Sequence, residues 1–189
     1  MNKSLAAIII MGLAQGVAHA DTVSSWKGEA ELGAIITGGN TENENISGKG
    51  KLINDRDKWR HTGKLEAQKN SDEDSTTAEK YFSSAKSDFK LSSVSYIFGL
   101  VTWEDDKFSG FDYQTTETIG YGRNVIKNDK ITLDLEIGAG ARQSKIELSG
   151  DTEDEGLFRG AAIFGWKISD ITTFSEELTV DAGDEATIT

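Results

Sequence analysis

From residue 26 onward, apolar and polar side chains alternate one for one, and no window carries a clean helical stripe. Trp26, Gly28, Ala30, Leu32, Ala34 and Ile36 share one parity, while Lys27, Glu29 and Glu31 share the other. Ile131, Leu133, Leu135, Ile137, Ala139 and Ala141 lie opposite Asp134, Glu136 and Arg142. Tyr81, Ser83, Ala85, Ser87 and Phe89 lie opposite Lys80, Lys86, Asp88 and Lys90, and Phe158, Ala162, Phe164 and Trp166 lie opposite Arg159 and Lys167. Period two is the signature of a strand with two unlike faces. It predicts nine strands, over 26–37, 44–53, 58–68, 78–91, 94–104, 113–123, 130–142, 157–167 and 172–181. The strand at 113–123 breaks the rule, because Glu117 shares a parity with Ile119 and Tyr121.

Most of these strands exceed the usual five or six residues of a globular sheet. Ten residues rising ~3.3 Å each and tilted by about 45° cover roughly 23–25 Å, the apolar band of an outer-membrane barrel. The connections alternate: those near 54–57, 92–93, 124–129 and 168–171 read as short, and those near 38–43, 69–77, 105–112 and 143–156 as longer and mostly acidic. Tight periplasmic turns and longer external loops have that asymmetry. Trp26, Trp59, Tyr96, Tyr121 and Trp166 fall near one set of strand ends, and Tyr81, Trp103 and Tyr113 near the other. Two aromatic girdles at headgroup depth are expected of a membrane barrel.

Parity alone does not say which face is inside. A soluble lipocalin-like barrel turns its apolar face inward, and a membrane barrel inverts this. Strand length, loop asymmetry and an export signal favour the inverted order. Lys3 is followed by the apolar stretch Leu5 to Ala14 and by the small-x-small site Ala18-His19-Ala20. Residues 1–20 therefore read as a secretory signal peptide cleaved after Ala20, leaving 21–189 as an outer-membrane β-barrel domain. The stretch is too short for a helix spanning ~30 Å of hydrocarbon.

Composition narrows the chemistry. The 189 residues carry 20 Lys plus Arg against 32 Asp plus Glu, a formal charge of −12, which argues against nucleic acid as a partner. With no Cys, disulfides, thiolate metal sites and Cys nucleophiles are excluded. With the outward-apolar order, the lumen receives Lys27, Glu29, Glu31, Lys49, Lys51, Arg60, Lys64, Glu66, Asp134, Glu136, Arg159 and Lys167. Mixed charges across a narrow lumen pair and fill it, so a poorly conducting barrel is expected.

Trp26-Lys27-Gly28-Glu29-Ala30-Glu31-Leu32-Gly33, followed by Thr37-Gly38-Gly39-Asn40-Thr41, resembles the start of the salt-induced outer-membrane protein family, a bacterial family of unknown function. Phe108-Ser109-Gly110-Phe111-Asp112-Tyr113-Gln114-Thr115, Gly120-Tyr121-Gly122-Arg123, Gly138-Ala139-Gly140-Ala141-Arg142 and Ser169-Asp170-Ile171-Thr172 are also similar to it. The resemblance implies an antiparallel up-and-down transmembrane β-barrel of the Gram-negative envelope, linked to salt or osmotic stress. It implies outer-membrane lipid, lipopolysaccharide and the barrel-assembly machinery as partners, and no catalytic residues. Bacterial single-chain barrels have even strand numbers, so nine strands suggest a C-terminally incomplete member.

Candidate chemistry is sparse. Gly38-Gly39-Asn40-Thr41-Glu42 is a turn signal. Gly138 and Gly140 lie late in a strand with no helix after them, so they are not a nucleotide loop and instead relieve curvature or make room for packing. The acidic clusters Ser71 to Ser75 and Asp151 to Glu155 do not match a calcium loop; they read as solvated loops or as weak Ca²⁺ or Mg²⁺ sites bridging to lipopolysaccharide. His61, the one histidine after the signal, falls on the parity of Trp59 and Leu65 and suits an interface better than a catalytic base. The expectation is therefore a non-enzymatic barrel without cofactor or metal. The alternatives are a periplasmic lipocalin-like carrier and an outer-membrane enzyme acting on lipid.

Overall fold

The structure is a computed structural model and describes residues 25–37, 43–72, 75–169, 171–183 and 187–188. The signal segment, and with it the cleavage after Ala20, lies outside the described residues, as does the turn at 38–42. The alternating pattern folds as β1 (Trp26–Thr37), β2 (Asn43–Asp55), β3 (Trp59–Asp72), β4 (Ser75–Lys90), β5 (Ser95–Asp106), β6 (Phe111–Lys127), β7 (Ile131–Ile146), β8 (Thr152–Lys167) and β9 (Thr173–Ala182). Each pairs antiparallel with its sequence neighbour in one sheet of order β1 to β10. The last member, β10 (Thr187–Ile188), pairs with β9 and was not expected from the sequence.

All nine predicted strands are present, but several run further than their apolar pattern. β3 and β4 continue together to Asp72 and Ser75, and β7 and β8 to Ile146 and Thr152. These extensions are polar on both faces, so alternation gives no sign of them; ladder hydrogen bonds and a few polar side-chain contacts, such as Gln143 to Asp154, carry the pairing there. The consequence is a correction. The connections expected to be long reduce to 38–42, 73–74, 107–110 and 147–151, little different from those at the other end. The asymmetry survives as hairpins projecting past the apolar band at one end, not as loops.

Turns close on side-chain acceptors. Asn128 Oδ1 accepts from the backbone N–H groups of Lys130 (2.9 Å) and Ile131 (2.8 Å), and Asp106 Oδ1 accepts from Phe108 N–H (3.0 Å). Gly110 and Gly150 take positive φ, 84° and 71°, which side-chain-bearing residues rarely adopt.

The sheet curls into a half-barrel, and one contact fixes which face is concave. Lys64 on β3 meets Glu177 on β9 at 2.5 Å, although five strands lie between them in the sheet. Only a sheet curled toward that face brings the two together. The ionic parity is thus inside. Leu32, Ile119, Ile137 and Phe158, on the other parity, are 69–76% exposed on the convex side. A lipocalin-like interior would have the opposite arrangement.

Candidate functional site: a charged, filled interior

The interior is built where β3 to β8 turn their polar parity inward. At its centre Asp88 of β4 accepts from Arg60 Nε of β3 at 2.6 Å, and Lys86 Nζ stands 3.8 Å from its other oxygen. Lys86 also donates to Glu136 of β7, whose Oε1 accepts a second hydrogen bond from the Tyr96 hydroxyl at 2.6 Å. The Arg60 guanidinium lies 5.0 Å from the centre of the Tyr96 ring, and Lys86 lies 4.7 Å from that of Phe98. Asp88 and Glu136 are 1% and 3% exposed, so these charges are held out of water and compensated by one another.

A second group lies toward the projecting hairpins. Arg159 donates to Asp181 at 3.1 Å and to the Thr179 hydroxyl at 3.2 Å, while Arg142 donates to Glu155 at 2.9 Å. Four buried inward atoms lack a hydrogen-bond partner: Asp88 Oδ1, Thr118 Oγ1, Asp134 Oδ1 and Arg159 Nε. Buried polar atoms are ordinarily satisfied, so these four mark where the interior is least complete.

Side chains and glycines share the remaining space. Tyr96, Phe98 and Leu100 form the buried apolar cluster. The Tyr96 ring lies over Gly122 and the Phe98 ring over Gly120, where a Cβ on either glycine would overlap the ring. A Cβ on Gly138 would meet the Ile119 carbonyl oxygen at 2.9 Å, and one on Gly140 would overlap the Glu117 carbonyl. These glycines permit tight curvature and aromatic cover, the role expected of Gly138 and Gly140 from the sequence.

Of the residues expected in the lumen, Arg60, Lys64, Glu136 and Arg159 enter buried or cross-sheet pairs, and Lys49 and Glu66 form an exposed pair at 3.8 Å. Glu29 faces Lys51 and Glu31 faces Lys49 across the β1–β2 ladder. Asp134 turns inward without a hydrogen bond to its Oδ1. Lys27 and Lys167 share the inward parity near the strand ends. Lys86, Asp88, Arg142, Glu155, Glu177 and Asp181 were missing from the expected set; all lie on the inward parity, which is the signal that could have found them.

Tyr96 requires a correction. Expected in a girdle, it is 4% exposed and points inward. On β5 both parities are apolar, with Tyr96, Phe98 and Leu100 against Ile97, Val101 and Trp103, so alternation could not assign it. Trp26, Trp59, Tyr121, Trp166, Tyr81 and Trp103 are exposed, whereas Tyr113 is half-buried.

His61 lies on the outer face, stacked on Trp59 (5.8 Å between ring centres, 8° between planes), with Nδ1 2.9 Å from Ser87 Oγ. The pair has a nucleophile's geometry, but His61 and Ser87 are direct cross-strand partners on a flat ladder, where backbone N–H groups are engaged in pairing. The acidic run Asp151 to Glu155 is drawn out along β8. Asp154 accepts from Gln143 at 3.0 Å and Glu155 from Arg142, on opposite faces, so the carboxylates do not converge. Among the described residues no group of three or more His, Cys, Asp or Glu could hold a metal ion. Lys107, in the β5–β6 turn, is held above the usual lysine value by its hydrogen bond to Asp105.

The profile of a family described as "Protein of unknown function, DUF481" matches residues 30–189. The uncharacterized protein YdiY of Escherichia coli (strain K12) is 25% identical over 166 residues, covering 86% of this chain and 64% of the relative. The chain thus spans less than two thirds of that relative's length. No solved structure matches.

Proposed function

The chain belongs to the DUF481 family, and from that premise we propose that it is an integral outer-membrane β-barrel of the cell envelope that performs no catalysis and conducts ions poorly. The observation that carries this reading is the inverted polarity. Large aliphatic and aromatic side chains cover the convex face, whereas Arg60, Lys86, Asp88 and Glu136 fill the concave one. In water the convex face would be a liability, because contiguous exposed apolar surface drives association. In a bilayer it is the required solvent-facing surface. The exposed aromatics at both ends, and the reading of residues 1–20 as an export signal, support the same placement. The end bearing Trp59 and Trp166 faces the periplasm, and the projecting hairpins face outward.

Among the described strands, β1 pairs only with β2, and the opposite edge is formed by β9 and β10. Open edges do not persist in hydrocarbon. In a bilayer both edges must therefore be paired. The resemblance to salt-induced proteins adds an association with salt or osmotic stress, which is tested by comparing protein abundance at low and high osmolarity.

Fractionation tests the central reading. The protein should stay with membranes through carbonate washing, require detergent for extraction, and migrate differently when unheated and boiled. Recovery from the soluble periplasm would overturn it. Phospholipid hydrolysis abolished by His61→Ala would instead establish the lipid-acting alternative.

A further inference from the structure

Two carboxylates on the convex face, Glu117 of β6 and Glu176 of β9, do not fit a surface made only to meet hydrocarbon, and Glu117 is the one beside a groove. Glu117 of β6 turns outward beside Ile119 and Tyr121, and its neighbours across the ladders are Val101 and Ala141. Its carboxylate makes no hydrogen bond or ion pair with any described residue. It lies two residues from Thr115, which pairs with Trp103, and four from Tyr121. At ~3.3 Å per residue this puts it roughly 7 Å along the strand from the Trp103 row, nearer that end than the Tyr121 end.

Beside it the convex face is indented. A shallow, mostly apolar groove of about 240 Å³ runs along Ser83, Ala85, Val101 and Trp103. Val101 is the direct partner of both Ala85 and Glu117, so the groove and the carboxylate adjoin. The small side chains of Ser83 and Ala85 leave a furrow beside Trp103.

An ionised carboxylate just below headgroup depth is costly unless donors reach it. Phospholipid ester linkages at that depth supply acceptors only. Amide-linked hydroxyacyl chains supply N–H and O–H donors, and they belong to the glucosamine-based glycolipid class of the outer leaflet. We propose that the groove at Ala85, Val101 and Trp103 seats one acyl chain of such a glycolipid, with Glu117 accepting hydrogen bonds from its amide N–H or chain hydroxyl. This site rests on the outer-membrane reading above and adds a specific lipid class to it.

The test measures lipid retained by the full-length protein after extraction and exchange into detergent micelles. Bound hydroxyacyl glycolipid and phosphatidylethanolamine are quantified by mass spectrometry after incubation with equal amounts of rough lipopolysaccharide and phosphatidylethanolamine. Wild type should keep about one glycolipid per chain. Glu117→Leu should lower this about tenfold, the size of one lost charge-assisted hydrogen bond, and Val101→Trp should do the same by filling the groove. Glu117→Gln, which keeps an acceptor, should retain most of the binding. All variants should keep heat-modifiable migration, since none faces the interior. Equal glycolipid retention in Glu117→Leu and wild type would overturn the site, as would phosphatidylethanolamine replacing the glycolipid in wild type. Both results leave the membrane reading intact. A chain recovered without detergent from the soluble fraction overturns both.

Discussion

At the scale of single residues, the interior depends on a few contacts with no slack. Gly122 has the Tyr96 ring directly above it, so a β-branched side chain there must displace the ring and break its 2.6 Å hydrogen bond to Glu136. Gly122→Val should destabilise the folded protein by about 1–3 kcal/mol, as overpacking does. Gly156, with open space where a Cβ would go, is the control: Gly156→Ala should change little. Urea midpoints in lipid vesicles would separate the two. The ion pairs differ in the same way. Asp88→Ala leaves the Arg60 and Lys86 charges partly buried without their shared carboxylate, and should cost about 3–5 kcal/mol. Glu66→Ala removes the partner of an exposed lysine and should cost less than about 1 kcal/mol. Equal losses in the two variants would show that the interior is wet and the central pairs screened.

At the scale of elements, much of the sheet was legible because one face of each strand had to be unlike the other. β1 and β7, whose alternation is cleanest, begin within a residue of their predicted starts. Legibility failed where the two faces are alike. The polar hairpin extensions before Ala78 and beyond Arg142 look like loops, and the doubly apolar stretch of β5 hid the inward Tyr96. Of the interior charges, parity identified which could face inward. It could not identify partners, because Lys64 and Glu177 meet through the curl of the sheet rather than along the sequence. Glu117 was the reverse: its parity placed it outward correctly, and the oddity was chemical rather than structural. One substitution tests whether the outward face meets lipid. Ile119 is exposed two residues from Tyr121 on β6. Ile119→Arg, at a depth between the Tyr121 row and the midplane, should cost about 1–2 kcal/mol in a bilayer. On a water-facing sheet the same change would be nearly neutral.

At the scale of the whole molecule, an ionic interior decides what a closed barrel can pass. Charges in both signs, paired across the curl by Lys64 and Glu177 and backed by the rings of Tyr96 and Phe98, occupy the space a diffusion pore needs for water. Asp88, Glu136, Glu155, Glu177 and Asp181 each have a cation beside them, so an entering ion must displace a protein partner as well as shed water. Reconstituted into planar bilayers, the full-length protein should show small and irregular conductance. Removing the rings while leaving every charge in place, as Tyr96→Ala with Phe98→Ala, should raise conductance severalfold by exchanging side-chain volume for water. Neutralising the cross-lumen contact with Lys64→Gln and Glu177→Gln should alter it far less, because that exchange keeps the volume. If the charge-neutral pair opened the barrel and the ring-deleted variant did not, electrostatic clamping rather than filled space would be what closes it. Large, steady conductance in the wild type would overturn the filled-lumen reading itself.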